Sequence, residues 1–352
     1  MRIVFLIPEL RGTGWKDMAL ELATRTRLRD SRLVRRFIVD ARLYARHAFG
    51  GTLNIMRHAA LARSLGVEAV LATPGGKDSY GRFNIVDLPF IRWADRRPDD
   101  VCLVPDICTR LIDEVKGPAI AYLQVPIFLT RDFDYMRSDV QLWTDSPFML
   151  EKCERVFSGK KIPIVPNIVD DVRFPFRPQA EREAGLVFAF PRKGPEFIEA
   201  TRAAYAALGG TYWRFELIDG LSLAELAKAM LRPQVFLASA EVEGCALPPQ
   251  ESMATGIVVV GRSARGANFS MEHRRTAMVA ETPTEAAASL RELENDALRD
   301  TISRNAYAFI QRYFPSGEPT TFWRSTLRDL GFTVPSSVAG PAAAAQGART
   351  AT

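Results

Sequence analysis

The sequence predicts an α/β protein of two halves, each a parallel sheet flanked by helices. Three observations carry that expectation. The chain has 352 residues, long for one hydrophobic core. Short apolar runs alternate with amphipathic helical stretches almost throughout. The alternation breaks at "PNIVDDVRFPFRPQAEREAG" (166–185), where prolines and charges replace any period and read as a linker.

In chain order, "RIVFLIP" (2–8) reads as a strand, "KDMALELATRTRL" (16–28) as a helix and "RRFIVDA" (35–41) as a second strand. A glycine pair, Gly50-Gly51, then opens the amphipathic helix "TLNIMRHAALARSLG" (52–66). Strands follow at "VEAVLAT" (67–73), "DVCLVP" (100–105), "AIAYLQ" (119–124), "DVQLWTD" (139–145) and "KIPIVP" (161–166). Beyond the linker come the strand "LVFAFP" (186–191), a helix over 195–209, the strand "YWRFELID" (212–219), a helix over 222–231 and the strand "QVFLASA" (234–240). Such alternation implies parallel strands joined by right-handed crossovers, with ligands at the strand C-termini and the expected site in the cleft between the halves. Two strand candidates precede the glycine pair. The favoured reading makes "RRFIVDA" its feeding strand, with residues 1–34 an added strand and helix. The alternative takes "RIVFLIPELRGTG" as the first strand and loop. The last residues, 335–352, are small and polar and are expected to be disordered.

Composition narrows the function. No apolar run reaches the roughly 18–20 residues of a membrane span, and the N-terminal run lacks a cleavage site and reads as a strand. Four cysteines without a CxxC and three histidines argue against structural zinc or a disulfide framework, and fit a reducing cytoplasm. Net charge is +5, and six arginines gather in "RTRLRDSRLVRR" (25–36). That stretch reads either as a solvated helix end or as an attractor of phosphate or an anionic membrane, giving weak peripheral contact at the inner membrane surface. Without aromatic interleaving it does not support a specific nucleic-acid partner.

The stretch "EVEGCALPPQE" (241–251) carries the chemistry. Pro248 and Pro249 suit a helix start, where a missing N–H is no loss, and Gly256 suits its end. Glu251 is then expected in the first helical turn and Glu243 on the loop after a strand. The backbone N–H groups of Cys245, Ala246 and Leu247 make an anion site at the helix N-terminus, and Gly244 lets a ligand approach closely. An anion site between two carboxylates suits a molecule with phosphates and hydroxyls, such as a nucleotide-sugar.

"EGCALPPQESMATGIVVV" (243–260) resembles the Glu-x7-Glu signature of the retaining glycosyltransferases of GT-B fold, family 4, which reads "EGFGLPxLEAMAxGxPVV". The spacing alone is weak, since 21 glutamates give about one such pair by chance, but the surrounding order is specific. "PNIVDD" (166–171) resembles the family's "PNGVD", "FPRKGPEFIEA" (190–200) its "RKG" segment, and "FGGTLNIMRHAALARSLG" (49–66) its glycine loop and helix. The resemblance covers roughly 36–330 and is strongest at 160–262. It implies an α/β GT-B fold, two Rossmann-like domains facing across a cleft. The N-terminal acceptor domain would span 1–167 and the nucleotide-sugar-binding domain 168–316, with a helix at 317–334 returning to the first.

The resemblance further implies transfer of a sugar from a nucleotide-sugar donor to an unidentified acceptor hydroxyl, with retention and no metal or other cofactor. Lys193, with Arg192, would stabilise the leaving diphosphate, Glu243 would hold the sugar and Glu251 the ribose. Gly244, Cys245, Ala246, Leu247, Gly50 and Gly51 would contact the donor, and closure would hinge at 166–185. Two departures stand out. The strand before Lys193, "GLVFAFP", lacks the family's arginine, and Gln124 stands near the acceptor position where a histidine often ends a strand. A nucleotide-sugar-binding protein without transferase activity, or a GT-B epimerase or phosphorylase, is the alternative. His58, on the helix after the glycine pair, reads as packed or solvated and not as catalytic. "DFD" (132–134) matches the Asp-x-Asp of metal-dependent transferases without supporting context.

Overall fold

The structure, a computed structural model, describes residues 1–10, 15, 19, 22, 44–45, 49–76, 80, 84–126, 129 and 133–335. The strand expected at 35–41, nearly all of the helix at 16–28, the arginines of 25–36, Asp132 and the tail from 336 lie outside that set. The chain divides into two compact units. Unit 1 holds 1–145, 152–165 and 321–352, and unit 2 holds 146–151 and 166–320.

Unit 1 is built on β1 (Ile3–Leu6), with a small parallel pair, β2 (Glu9–Leu10) and β3 (Tyr44–Ala45), beyond its end. Helix α1 (Gly50–Ser64) leads to β4 (Ala69–Thr73), β5 (Phe90–Arg92), β6 (Val101–Pro105), β7 (Ala119–Leu123) and β8 (Val140–Thr144). Six of these strands form one parallel sheet in the order β5-β4-β1-β6-β7-β8. Strands β1, β4, β6 and β7 are buried at every residue, which a parallel sheet covered on both faces requires.

Ile3–Leu6 pairs with β4 on one side and β6 on the other. It is the centre of the sheet and not an addition to it, which corrects the favoured reading of 1–34 and supports the alternative at the strand. The strand expected at 161–166 is also corrected. It reduces to one bridge, Thr144 to Ile164, because Pro163 and Pro166 have no N–H to give a ladder. Strand β5 escaped the sequence reading, being a three-residue edge strand with no period to detect.

Helix α2 (Pro147–Val156) precedes the 166–185 segment. Unit 2 continues with β9 (Leu186–Ala189), α3 (Pro195–Ala207), β10 (Arg214–Leu217), α4 (Leu223–Ala229) and β11 (Val235–Ala238). Then come α5 (Leu247–Thr255), β12 (Val258–Gly261), β13 (Ala277–Val279), α6 (Pro283–Glu292) and α7 (Asp296–Ile310). Its parallel sheet runs β10-β9-β11-β12-β13. Alternate strand residues supply two cores, as the period of two dictates. Phe188, Phe236 and Val259 join Phe174, Met253 and Ile310 on one face, while Val187, Leu237 and Val260 join Phe197, Leu290 and Ile302 on the other.

The segment 166–185 is not a loose linker. It has no strand, yet Val169 and Phe174 are fully buried in the first of these cores. Gln179 Nε2 donates to the carbonyls of Gln234 (3.1 Å) and Gly256 (2.7 Å). The buried Arg182 guanidinium donates to the carbonyls of Met230, Pro233 and Thr255. Its polar composition misled the sequence reading because these side chains satisfy backbone groups inside the fold.

Helix α8 (Glu318–Asp329) is the last element among the described residues, and Trp323 belongs to unit 1. Its ring is 1% exposed and lies 5.6 Å from Phe5 and 5.8 Å from Trp143.

Candidate functional site

In unit 2 the order β10-β9-β11 places a topological switch between β9 and β11, since the chain leaves β9 and β11 towards opposite edges. The loops after these two strands carry Lys193 and Glu243. Gly194 caps α3 in the left-handed region (φ 76°), and a Cβ there would lie 2.5 Å from the Ser239 carbonyl oxygen. Only glycine fits, so the Lys193 turn seats directly on the end of β11. Ser239 Oγ donates to the Lys193 carbonyl at 2.5 Å. The Lys193 ammonium then meets Glu243 Oε1 at 2.6 Å, the lysine side chain being 47% exposed and the glutamate 20%. The structure thus brings together two predicted residues 50 positions apart. Arg192 precedes them on the same turn and is exposed.

The loop from Glu243 into α5 is fixed from several sides. Buried Ser146 donates its hydroxyl to the Gly244 carbonyl at 2.8 Å. Buried Asn167 gives one N–H to Cys245 Sγ and one to Gln250 Oε1, each at 3.0 Å. Helix α5 starts at Leu247 and ends on Gly256 at φ 86°, as its sequence signals require. Its double proline removes two of the four N–H groups that a helix start leaves unpaired, so Ala246 and Leu247 carry the donors that remain. One expectation is corrected. Glu251 is the fifth residue of α5, in its second turn, and only 3% exposed.

Two further cations stand at the same strand ends. Arg262 follows Gly261 of β12, and Nη1 donates to the Ser239 carbonyl at 3.3 Å while the guanidinium stacks 4.4 Å from the Phe197 ring centre. Arg265 pairs with Glu241 at 2.5 Å. It sits in a run of three left-handed residues, Ala264, Arg265 and Gly266, with φ of 52°, 59° and 93°. Two of these carry a Cβ, each costing about 1–2 kcal/mol. Backbone strain of this kind gathers at binding loops.

In unit 1 the corresponding strand ends are differently furnished. Gly51 and Gln124, both predicted, are neighbours, and a Cβ on Gly51 would lie 2.8 Å from Gln124 Oε1. The Gln124 turn is held by buried Asp106, whose Oδ2 accepts the N–H groups of Gln124 and Val125 at 2.7 Å each. Asn54 Nδ2 donates to the Tyr122 hydroxyl at 3.3 Å. His58 is packed, not solvated, and Nδ1 accepts the Trp323 indole N–H at 2.9 Å. Burial, with the nearby Arg57 charge adding to it, brings its pKa down to about 3, so the imidazole is neutral. Gly50 opens α1 beside Gly51. Among the described residues no group of three or more His, Cys, Asp or Glu could hold a metal ion, and no helix is long and apolar enough to cross a membrane.

No protein-family model matches the sequence, and no curated protein matches it. Solved structures do match. A sucrose-phosphate synthase from Thermosynechococcus elongatus is similar at TM-score 0.61 and 12% identity, over 94% of this chain and 99% of that one. The pneumococcal O-GlcNAc transferase GtfA, solved with UDP and GlcNAc, is similar at TM-score 0.53 and 12% identity, over 67% of this chain. TarM is similar at TM-score 0.51 and 13% identity, over 66% of this chain. The chain spans 58% of GtfA and 55% of TarM.

The chain has the GT-B fold. In this GT-B chain the residues that sequence reasoning missed are those that hold the loops. Asn167 lay in plain view in "PNIVDD", and its role needs Cys245 and Gln250, about eighty positions away. Ser239 and Arg262 each end a strand whose apolar run was legible, so the position one step past the run was the available signal. Asp106 follows β6 in the same way.

Proposed function

We propose that the protein transfers a sugar from a nucleotide-sugar to an acceptor hydroxyl, with retention of the anomeric configuration. The observation that supports it most is the Lys193–Glu243 pair at the β9/β11 switch, beside the start of α5. A cation and a carboxylate 2.6 Å apart are what the two ends of a sugar diphosphate need: the ammonium for phosphate, the carboxylate for hydroxyls.

As the bond from the sugar to the diphosphate breaks, negative charge grows on the leaving phosphate. Lys193, Arg192 and the N–H groups of Cys245, Ala246 and Leu247 stabilise it without reorganising, the largest kind of catalytic effect. Glu243 accepts hydrogen bonds from the sugar hydroxyls and orients the ring. Glu251, buried in α5, holds the ribose. Gln124 takes the acceptor, and Gly51, expected at the donor, lies against Gln124 and is read with it as part of the acceptor loops of unit 1. The reaction needs no metal on this reading, because protein cations cover the charge.

A thermal-shift screen across UDP-, GDP- and ADP-sugars, followed by assay of released nucleoside diphosphate on adding cell extract, tests it. A ligand at 100 times its Kd raises stability by about 2.7 kcal/mol, a clear shift. Binding without release would leave a nucleotide-sugar-binding protein. No shift with any donor would reject the reading altogether.

A further inference from the structure

The charges at the strand ends of unit 2 do not balance among themselves. Lys193 is answered by Glu243, and Arg265 by Glu241. Arg262 is not answered. Among the described residues no carboxylate stands within 4 Å of its guanidinium, which meets the Ser239 carbonyl and the face of Phe197. The position is built, not incidental. Gly261 has φ 126°, and a Cβ there would lie 2.2 Å from the Ala238 carbonyl oxygen, so β12 turns tightly against β11. The Arg262 N–H then donates to that same carbonyl at 2.8 Å.

One buried serine ties Arg262 to Lys193. Ser239 takes the Arg262 guanidinium on its carbonyl and gives its hydroxyl to the Lys193 carbonyl. Phe197, on which the guanidinium stacks, is the third residue of α3, and Arg192 and Lys193 lie just before that helix. Arg262 therefore puts a positive charge that no carboxylate answers, among the described residues, beside the positive end of a helix dipole, an arrangement that costs energy until an anion arrives. Local rules broken in this way mark binding sites. Strand β9 itself supplies no cation. Among the described residues only Nη1 of the stacked guanidinium is engaged, on the Ser239 carbonyl, and its other edge donors match phosphate oxygens.

We propose that Arg262 binds the donor's diphosphate alongside Lys193. The inference rests on the nucleotide-sugar reading of this cluster. Calorimetry with UDP and with inorganic pyrophosphate, in metal-free buffer at several salt concentrations, tests it. Arg262→Gln keeps a polar side chain with N–H donors and removes the charge. It is expected to weaken both ligands by about tenfold, the loss of one charge-assisted contact, and to flatten the salt dependence. Arg304→Gln, which removes the same charge from an exposed pair with Asp300 on α7, is expected to leave both unchanged. If Arg262→Gln does not fold, Arg262→Lys decides, with about fivefold weaker UDP binding expected from a point charge in place of a fork.

UDP binding by either folded variant within twofold of the wild type would overturn the role of Arg262 while leaving glycosyl transfer standing. A wild-type protein that binds neither UDP, GDP, ADP nor pyrophosphate would overturn the nucleotide-sugar reading itself, and the role of Arg262 with it.

Discussion

The strand ends of the two units have the same origin and opposite chemistry. In both, a parallel sheet delivers loops to one edge, at the point where the strand order reverses. In unit 2 those loops carry half-exposed charges, with Lys193, Arg262 and Arg265 set against Glu243 and Glu241. In unit 1 two of the described groups are already committed. Asp106 is taken up by two backbone N–H groups, and His58 is a neutral acceptor for an indole. What is left at the Gly51–Gln124 contact is an amide. A sheet edge fixes where a ligand goes, and the side chains on it decide whether that ligand is an anion or a neutral polyol.

The comparison breaks most visibly at Lys193. Lys193→Ala is expected to lower kcat about 100-fold while weakening donor binding less, since charge on the leaving phosphate is greater in the transition state than in the bound donor. Turnover within twofold of the wild type would move that role to Arg192.

The next effect is in unit 1 and concerns acid. His58 has a folded pKa of about 3 against an ordinary 6.5, so between those values the unfolded chain binds a proton that the folded unit refuses. Stability is therefore intact above pH 6.5 and falls as pH drops towards 3, by about 2 kcal/mol at about pH 5. His58→Phe removes this titration, and urea unfolding of the variant should lose about 2 kcal/mol less than the wild type over the same window. Equal losses would place the acid sensitivity elsewhere.

A smaller effect tests the neutral character of unit 1. Gly51→Ala pushes against the mobile end of the Gln124 side chain, which can yield, and alanine favours the helix. The melting temperature is expected to stay within about 3 °C of the wild type, while turnover falls about fivefold at unchanged donor affinity. A parallel loss of donor affinity would show that this contact serves the donor.

The smallest effect sharpens the account of unit 2. Glu243→Gln frees Lys193 from its partner and is expected to tighten binding of a nucleoside diphosphate lacking sugar by about threefold, the scale of a partly exposed ion pair. Calorimetry that showed weaker binding would mean that Glu243 orients Lys193 for the phosphate and does not compete with it.

Much of the fold was legible because strands such as "VCLVP" and "AIAYL" are buried on both faces and must be apolar at every position. Helix α5 was legible for a different reason, its prolines and Gly256 being local signals for local geometry. What could not be read is what depends on distant partners. Phe174, Gln179 and Arg182 sit in a stretch with no period, and only the carbonyls of residues 230–256 show why that stretch is packed. The site divided in the same way. Lys193 and Glu243 came from motifs, whereas Asn167 and Ser239 act on loops that no spacing connects to them. The centrality of Ile3–Leu6 was misjudged because two apolar runs compete ahead of one glycine pair, and only pairing partners decide between them.

Trp323 has a consequence for the order in which the chain is made. A ribosome finishes β1 and α1 early, but the indole that packs on Phe5 and satisfies His58 Nδ1 leaves it some 260 residues after His58 does. Until then the first-made unit holds a gap the size of a tryptophan and an unpaired ring nitrogen, while residues 166–320 can already close their own two cores. Domains usually complete themselves from the N-terminus during synthesis. In this protein the half that emerges first is the half that is finished last, and a nascent chain halted short of Trp323 should expose unit 1, not unit 2, to proteases and chaperones.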